Sequence, residues 1–308
     1  MNINVNVIIK ICKMKRKRPE ENIIPVWMSQ HTKDSLHPLI QLQNEIIDYG
    51  NYITLNKEDI KLRERSIHII KESIKALWPD CEAEVYGSYT TGLSLFNSDV
   101  DMIIFPKEDI TPENAIRVFS RHLEIQQITS NQKKILKTRV PILKLTLKET
   151  GIQMDIAVNK KDSLKSITPI RELLVKYPPL KWLVLIIKAV LRQAEFNETY
   201  KGGIGSFLVI MLVTGYLQYE KKLEPKEFCT KSLGELLVKF FKFYADGYLY
   251  SKSYEECTLS VESPQDVNRD IGRPVKFINE IRYLFYNCYQ NLAFEQNGLN
   301  GIITLTRQ

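Results

Sequence analysis

Two aspartates one residue apart, Asp99 and Asp101, stand in the run VYGSYTTGLSLFNSDVDMIIF, residues 85–105. On a strand, side chains two apart point to the same face, so the pair projects together while Val100 and Met102 face the other way. Carboxylates held side by side repel one another and are costly to keep ionised unless a cation sits between them. A bare Asp-x-Asp is as often a pair of solvated turn acids, but this one runs straight into Met-Ile-Ile-Phe and so opens a buried strand. Gly87-Ser88 precedes the pair with ten residues between, and a third acid, Asp155, interrupts the apolar strand Gln153–Val158. Three carboxylates on adjacent strands can hold two Mg²⁺ ions roughly 4 Å apart, one activating an attacking hydroxyl and the other gripping a triphosphate. Gly87 lets the backbone approach a phosphate closely. Ser88 opens a short helix whose free amides and hydroxyl favour an anion. The set suits nucleotidyl transfer.

The elements that must position these residues follow from periodicity. Apolar residues recur at helical spacing over 36–52 and again over 56–77, where Asn56 is an N-cap with Asp59 as its acidic N3 partner. Trp78-Pro79-Asp80 stops that helix, and a short strand over 82–86 leads into the Gly-Ser turn. A helix over 111–124, with Pro112 in its first turn, precedes a basic cluster of Lys133, Lys134, Lys137 and Arg139. Residues 140–147 alternate as a strand, and a turn at Gly151 returns the chain into the strand that carries Asp155. Beyond Asn159 the pattern changes to long amphipathic helices over about 167–177, 180–195, 205–220, 232–244 and 275–292. An α+β fold is expected: a mixed sheet with helices forming a catalytic domain at 57–160, and a mainly helical domain built from 25–56 and 161–308.

Composition narrows the classes. The net charge of +7 is concentrated at the N-terminus, where residues 1–18 hold six bases and no acid, leaving 37 bases against 36 acids elsewhere. Residues 1–24 read as a disordered basic tail, and Lys15-Arg16-Lys17-Arg18 is the kind of cluster that nuclear import receptors read or that rests on phosphates. The nearly neutral body carries no uniform nucleic-acid face, so RNA affinity is expected to be modest and salt-dependent. Five cysteines without a Cys-x-x-Cys pair, and four histidines without ligand spacing, argue for a reducing compartment and against a zinc module within the chain. The apolar runs are too short for a membrane span, so no membrane partner is expected.

The stretch from Gly87 to Phe105 resembles the signature of the DNA polymerase β superfamily, in its branch of template-independent RNA terminal nucleotidyltransferases. Ala76-Leu77-Trp78-Pro79-Asp80, Arg139-Val140-Pro141-Ile142 and Gly202-Gly203-Ile204-Gly205-Ser206-Phe207 look most like the nuclear poly(A) polymerases of TRAMP-type RNA surveillance complexes. The resemblance runs from about Trp27 to Tyr289. It implies catalytic, metal-holding roles for Asp99, Asp101 and Asp155, with two Mg²⁺ ions (Mn²⁺ as a substitute) and ATP as the nucleotide substrate, bound in the cleft between the two domains. It implies that Gly87, Ser88, Asn159, Lys188, Arg192, Ser206 and Phe207 bind the nucleotide. Lys188 and Arg192, one turn apart, would hold the β/γ phosphates, and Phe207 would offer a ring for the base where many relatives have Tyr. The segment 263–273 is similar to the family's nucleotide-recognition motif, placing Arg269, Asp270 and Arg273 near the base. Arg269 stands where adenylating relatives tend to have Asn and uridylating ones His. As partners the resemblance implies an RNA 3′ end, a zinc-knuckle RNA-binding protein and, through it, an RNA helicase.

Three rival readings share these residues. A terminal uridylyltransferase, or an enzyme tailing with several nucleotides, would keep the acids and change the base pocket. A scaffold that keeps the fold to dock partners without activity is another, against which the intact three-acid set argues. An enzyme modifying a small hydroxylated molecule would lack the Gly-Gly-Ile-Gly-Ser-Phe and Asp-Ile-Gly-Arg matches.

Overall fold

Helical and alternating periodicities become elements close to where the sequence puts them. A computed structural model describes residues 25–107, 109–138, 140–159, 161–246, 261–263, 266–295 and 298–307. The basic tail over 1–24, with its Lys15–Arg18 cluster, and Arg139 lie outside the described residues. In chain order the elements begin with α1 (Pro38–Ile53), α2 (Lys57–Leu77), β1 (Glu82–Tyr86), α3 (Ser88–Thr91), β2 (Val100–Phe105) and α4 (Pro112–Ile125). They continue with β3 (Thr129–Ile135), β4 (Ile142–Leu147), β5 (Gln153–Val158), α5 (Ile167–Lys176), α6 (Pro179–Gln193) and α7 (Ser206–Leu223). The last are α8 (Leu233–Ala245), β6 (Glu262–Ser263), β7 (Asp266–Asp270) and α9 (Ile278–Gln290). They divide into two compact units, Thr54–Glu172 and the combination of Met1–Ile53 with Leu173–Gln308. The boundary falls inside α5.

In the first unit a five-stranded mixed sheet runs in the order β1-β2-β5-β4-β3. Only β2 and β5 pair in parallel; the other pairs are antiparallel. One face is dry: Ile70, Ile74 and Trp78 of α2 and its C-cap, and Ile116, Phe119 and Leu123 of α4, pack on Val100, Met102, Leu143, Leu145, Met154 and Ile156. Both helices start on side-chain caps. Asn56 and Asp59 exchange 2.8 Å hydrogen bonds in a capping box, and the Thr111 hydroxyl accepts from the Asn114 amide ahead of Pro112. Each such cap contributes about 1 kcal/mol.

The expected basic cluster around Lys133 and Lys134 is part of strand β3. As an edge strand paired only with β4 it needs no apolar face of its own, which is why alternation does not reveal it. The strand expected to begin at Val140 begins at Ile142, since Pro141 has no amide to give the ladder.

The second unit is helical. Helix α6 is buried without interruption from Leu183 to Leu191, the mark of a helix surrounded by its neighbours. Tyr216 of α7, Phe240, Phe241 and Tyr244 of α8 and Phe285 of α9 form one aromatic cluster, with edge contacts such as Tyr216–Phe240 at 5.6 Å. Beside it the buried Lys231 ammonium meets Glu220 at 2.5 Å and also pairs with Glu224. Strands β6 and β7 make a small hairpin in a segment whose sequence reads as loop. Among the described residues, no helix is long and apolar enough to cross a membrane.

Candidate active site

The face of the sheet opposite α2 and α4 carries the acids. Because Val100 and Met102 are drawn into the core, Asp101 must project to the other face. Parallel pairing sets Asp101 directly beside Asp155, antiparallel pairing sets Tyr86 on its other flank, and Asp155 faces Lys144 across β4. Lys144 in turn is opposite Lys133 of β3. One row, Tyr86-Asp101-Asp155-Lys144-Lys133, thus crosses all five strands. Asp99, just ahead of β2, joins it through Lys144, whose Nζ lies 3.0 Å from Asp99 Oδ2 and 2.8 Å from Asp155 Oδ2.

These pairs are half-sheltered, with the three side chains between 15% and 24% exposed. Burial alone would lower the Lys144 pKa, but the charges and hydrogen bonds of Asp155 and Asp99 outweigh it and hold the pKa above the usual lysine range. Lys144 is therefore a permanent cation here. Tyr86 is pushed far above its ordinary pKa, first by burial and then by the charges of Asp101 and Asp155, so its phenol stays protonated. Gly87 sits at φ +76°, and a Cβ built on it would lie 2.3 Å from Asp101 Oδ2. Its missing side chain makes room for the carboxylate. The Ser88 hydroxyl is 3.0 Å from that of Ser94, and the Thr90 hydroxyl donates to the Gly87 carbonyl. Asn159, at φ +54°, follows β5 on the surface, its amide donating to the Ile104 carbonyl. A cavity of about 150 Å³ opens beside the acids between Asp99, Lys144, Thr146, Gln153 and Lys133.

Among the described residues, no three His, Cys, Asp or Glu side chains converge tightly enough to hold a metal ion in this arrangement. Two of the three carboxylates turn instead to the Lys144 ammonium, a stand-in cation. The donor set itself, carboxylate oxygens only, is the kind that Mg²⁺ takes, and a cation already shared by Asp99 and Asp155 marks the place. The donor types fit the ion.

The other expected site residues belong to the helical unit. Lys188, 8% exposed, and Arg192, half-buried, lie one turn apart on α6. Ser206 is the exposed first residue of α7, with Phe207 half-buried behind it. Asp270 is committed to its own turn: Oδ1 accepts from the amides of Val261, Gly272 and Arg273 at 2.9, 2.8 and 3.2 Å. Arg273 is exposed, and the side chain of Arg269 lies outside what is described. The sequence reading passed over Lys144 and Tyr86. A lysine at an outward position of a strand reads as a solvated residue, and only a cross-strand count from Asp155 would have found it.

Residues 42–171 match the family model of the central palm domain of mitochondrial-like poly(A) RNA polymerase. Poly(A) RNA polymerase protein 1 of Saccharomyces cerevisiae is 29% identical over 306 residues, covering 91% of this chain and 48% of the relative. The chain is similar to the poly(A) RNA polymerases. A solved structure described as the polymerase core of TRAMP, an RNA surveillance complex, superposes with a TM-score of 0.77 at 27% identity, over 88% of this chain and 91% of that one. The fold is the α+β fold of polymerase β-like nucleotidyltransferases. An inactive non-canonical poly(A) RNA polymerase protein of Drosophila melanogaster, Trf4-2, is also similar, 26% identical over 218 residues, with 70% of this chain and 53% of that protein covered. The chain spans about half the length of the curated relatives it matches, or less.

Proposed function

We propose that the chain transfers AMP from ATP to RNA 3′ ends without a template. The observation that carries this is the pairing of Asp101 with Asp155 on parallel strands, with Asp99 brought to Asp155 by a shared cation. In the reaction the RNA 3′ oxygen bonds to the α-phosphorus as the bond to the β-phosphate oxygen breaks, releasing pyrophosphate and the hydroxyl proton. Mg²⁺ held by Asp99, Asp101 and Asp155, or Mn²⁺ in its place, would lower the pKa of the 3′ hydroxyl and neutralise the triphosphate. Gly87 leaves room for the Asp101 carboxylate, and Ser88 offers a hydroxyl at the start of α3. Lys188 and Arg192 are assigned to the terminal phosphates, Ser206 to a phosphate, Phe207 to the base and Asn159 to the ribose. Asp270 acts by holding the turn that presents Arg269 and Arg273. Similarity to a TRAMP polymerase core supports an RNA substrate within a complex, for which a zinc-knuckle protein and a helicase are the proposed partners. The Lys15–Arg18 cluster supports a nuclear location.

A second reading, a scaffold without activity, is favoured by the similarity to an inactive protein. Extension of a labelled oligo(A) RNA with each nucleoside triphosphate, with and without Mg²⁺, separates the two. An ATP ladder that needs Mg²⁺ and disappears in Asp101→Ala supports adenylation. Preference for UTP ends the ATP assignment, and a background unchanged by Asp101→Ala supports the scaffold.

A further inference from the structure

We propose that Lys144 is a built-in counter-ion of the acid row, which the incoming divalent cation must displace. This rests on the reading that Asp99, Asp101 and Asp155 hold metal. Carboxylates crowded at one place, Asp101 and Asp155 on the sheet and Asp99 at its mouth, would otherwise repel one another. The Lys144 ammonium reaches two of them at once, at 3.0 and 2.8 Å. Its position is fixed by register, directly opposite Asp155, so it is a resident of the site and not a surface chain that happens to reach it. A divalent ion sharing Asp99 and Asp155 needs the oxygens that the ammonium now occupies. Lysine can yield them because its charge rides on a flexible four-carbon stem. Room lies alongside, in the cavity that Lys144 shares with Thr146, Gln153 and Asn131. In the unloaded protein Lys144 steadies the acids; in the loaded one its ammonium turns into that cavity.

Mn²⁺ binding, read by the electron paramagnetic resonance of the free ion, tests this without reference to turnover. Full-length wild type, Lys144→Met and Lys144→Arg are titrated at one ionic strength, with melting recorded in chelator and in Mn²⁺. Removing the competitor should tighten Mn²⁺ about tenfold, the ratio that 1.4 kcal/mol represents. Lys144→Met should also melt lower than wild type in chelator and recover more on adding Mn²⁺, whereas Lys144→Arg keeps the charge and should bind like wild type. Lys144→Gln serves as the neutral variant if Lys144→Met does not fold. Methylation of Lys144 by formaldehyde and borohydride, followed by mass spectrometry, should speed up when Mn²⁺ is added. Equal Mn²⁺ affinity in wild type and the neutral variants, or no change in methylation, overturns the displacement and leaves the metal reading standing. No Mn²⁺ binding to any of them overturns the metal reading, and with it this proposal.

Discussion

Replacing Gly87 by alanine tests the geometry of the acid row at one atom. Its backbone, φ 76° and ψ −149°, lies in a region essentially reserved for glycine, where another residue costs on the order of 1–3 kcal/mol. The added methyl would also meet Asp101 Oδ2 at 2.3 Å and Cγ at 3.1 Å. Ordinary carbon–oxygen contact requires that carboxylate to retreat by roughly 1 Å. A displacement of that size at reacting groups costs about 10²-fold in rate. Gly92 is the internal control: it too has positive φ, +72°, but nothing lies within 4 Å of where its Cβ would be. Gly92→Ala should therefore cost about 1–2 kcal/mol of stability from the backbone alone and leave tailing within a few-fold. Gly87→Ala should cost about 2 kcal/mol and also lose about 10²-fold in single-turnover extension of oligo(A) with ATP. Urea unfolding midpoints give the first quantity and quenched extension the second. If the two variants tail equally well, the close approach of Gly87 to Asp101 has no part in the chemistry.

Asp155→Asn should lower extension about 10³-fold, the scale of several kcal/mol of metal-borne stabilisation, with little change in the circular-dichroism melt. Lys231→Met leaves the Glu220 carboxylate, 7% exposed, without its nearest ammonium, and should cost about 3 kcal/mol in urea unfolding; a loss below 1 kcal/mol would mean that Lys239, 4.0 Å away, takes over. Glu45 is 3% exposed, and burial raises its carboxyl pKa against the lowering pull of the Leu299 amide at 2.6 Å. Its ionisation is therefore easier unfolded than folded, and stability is lost as pH rises through the ordinary carboxylate range. Glu45→Gln keeps an acceptor for Leu299 and should be at least as stable as wild type at pH 7, with the gap closing as pH falls towards 4; a variant less stable at pH 7 would refute the assignment.

Much of the fold is legible in the chain because local rules and tertiary structure agree. Asn56 and Asp59 read as a capping box and form one. Asp-Val-Asp followed by apolar residues reads as the mouth of a buried strand, and Val100 and Met102 are buried as the period of two requires. What escaped lacks a periodic signature. Strand β3 is polar at every position but Ile135, and the β6–β7 hairpin is too short to alternate.

The acid site divides along the same line. That Asp101 and Asp155 lie on strands, with Asp99 at the mouth of the first, follows from motif and alternation, which act within a strand. Which residue stands opposite which is set by register, and register is a property of pairs of strands. Ile142–Leu147 alternates equally well whether Lys144 faces solvent or an aspartate; only the pairing of Lys144 with Asp155 makes it part of the site. A slip of β4 by one residue would send Lys144 into the core and bring Leu143 or Leu145 against the carboxylates. The buried rank of Leu143, Leu145 and Leu147, all 3% exposed or less, is what forbids that slip. The apolar face of β4 thus fixes the charge that the acids meet on the other.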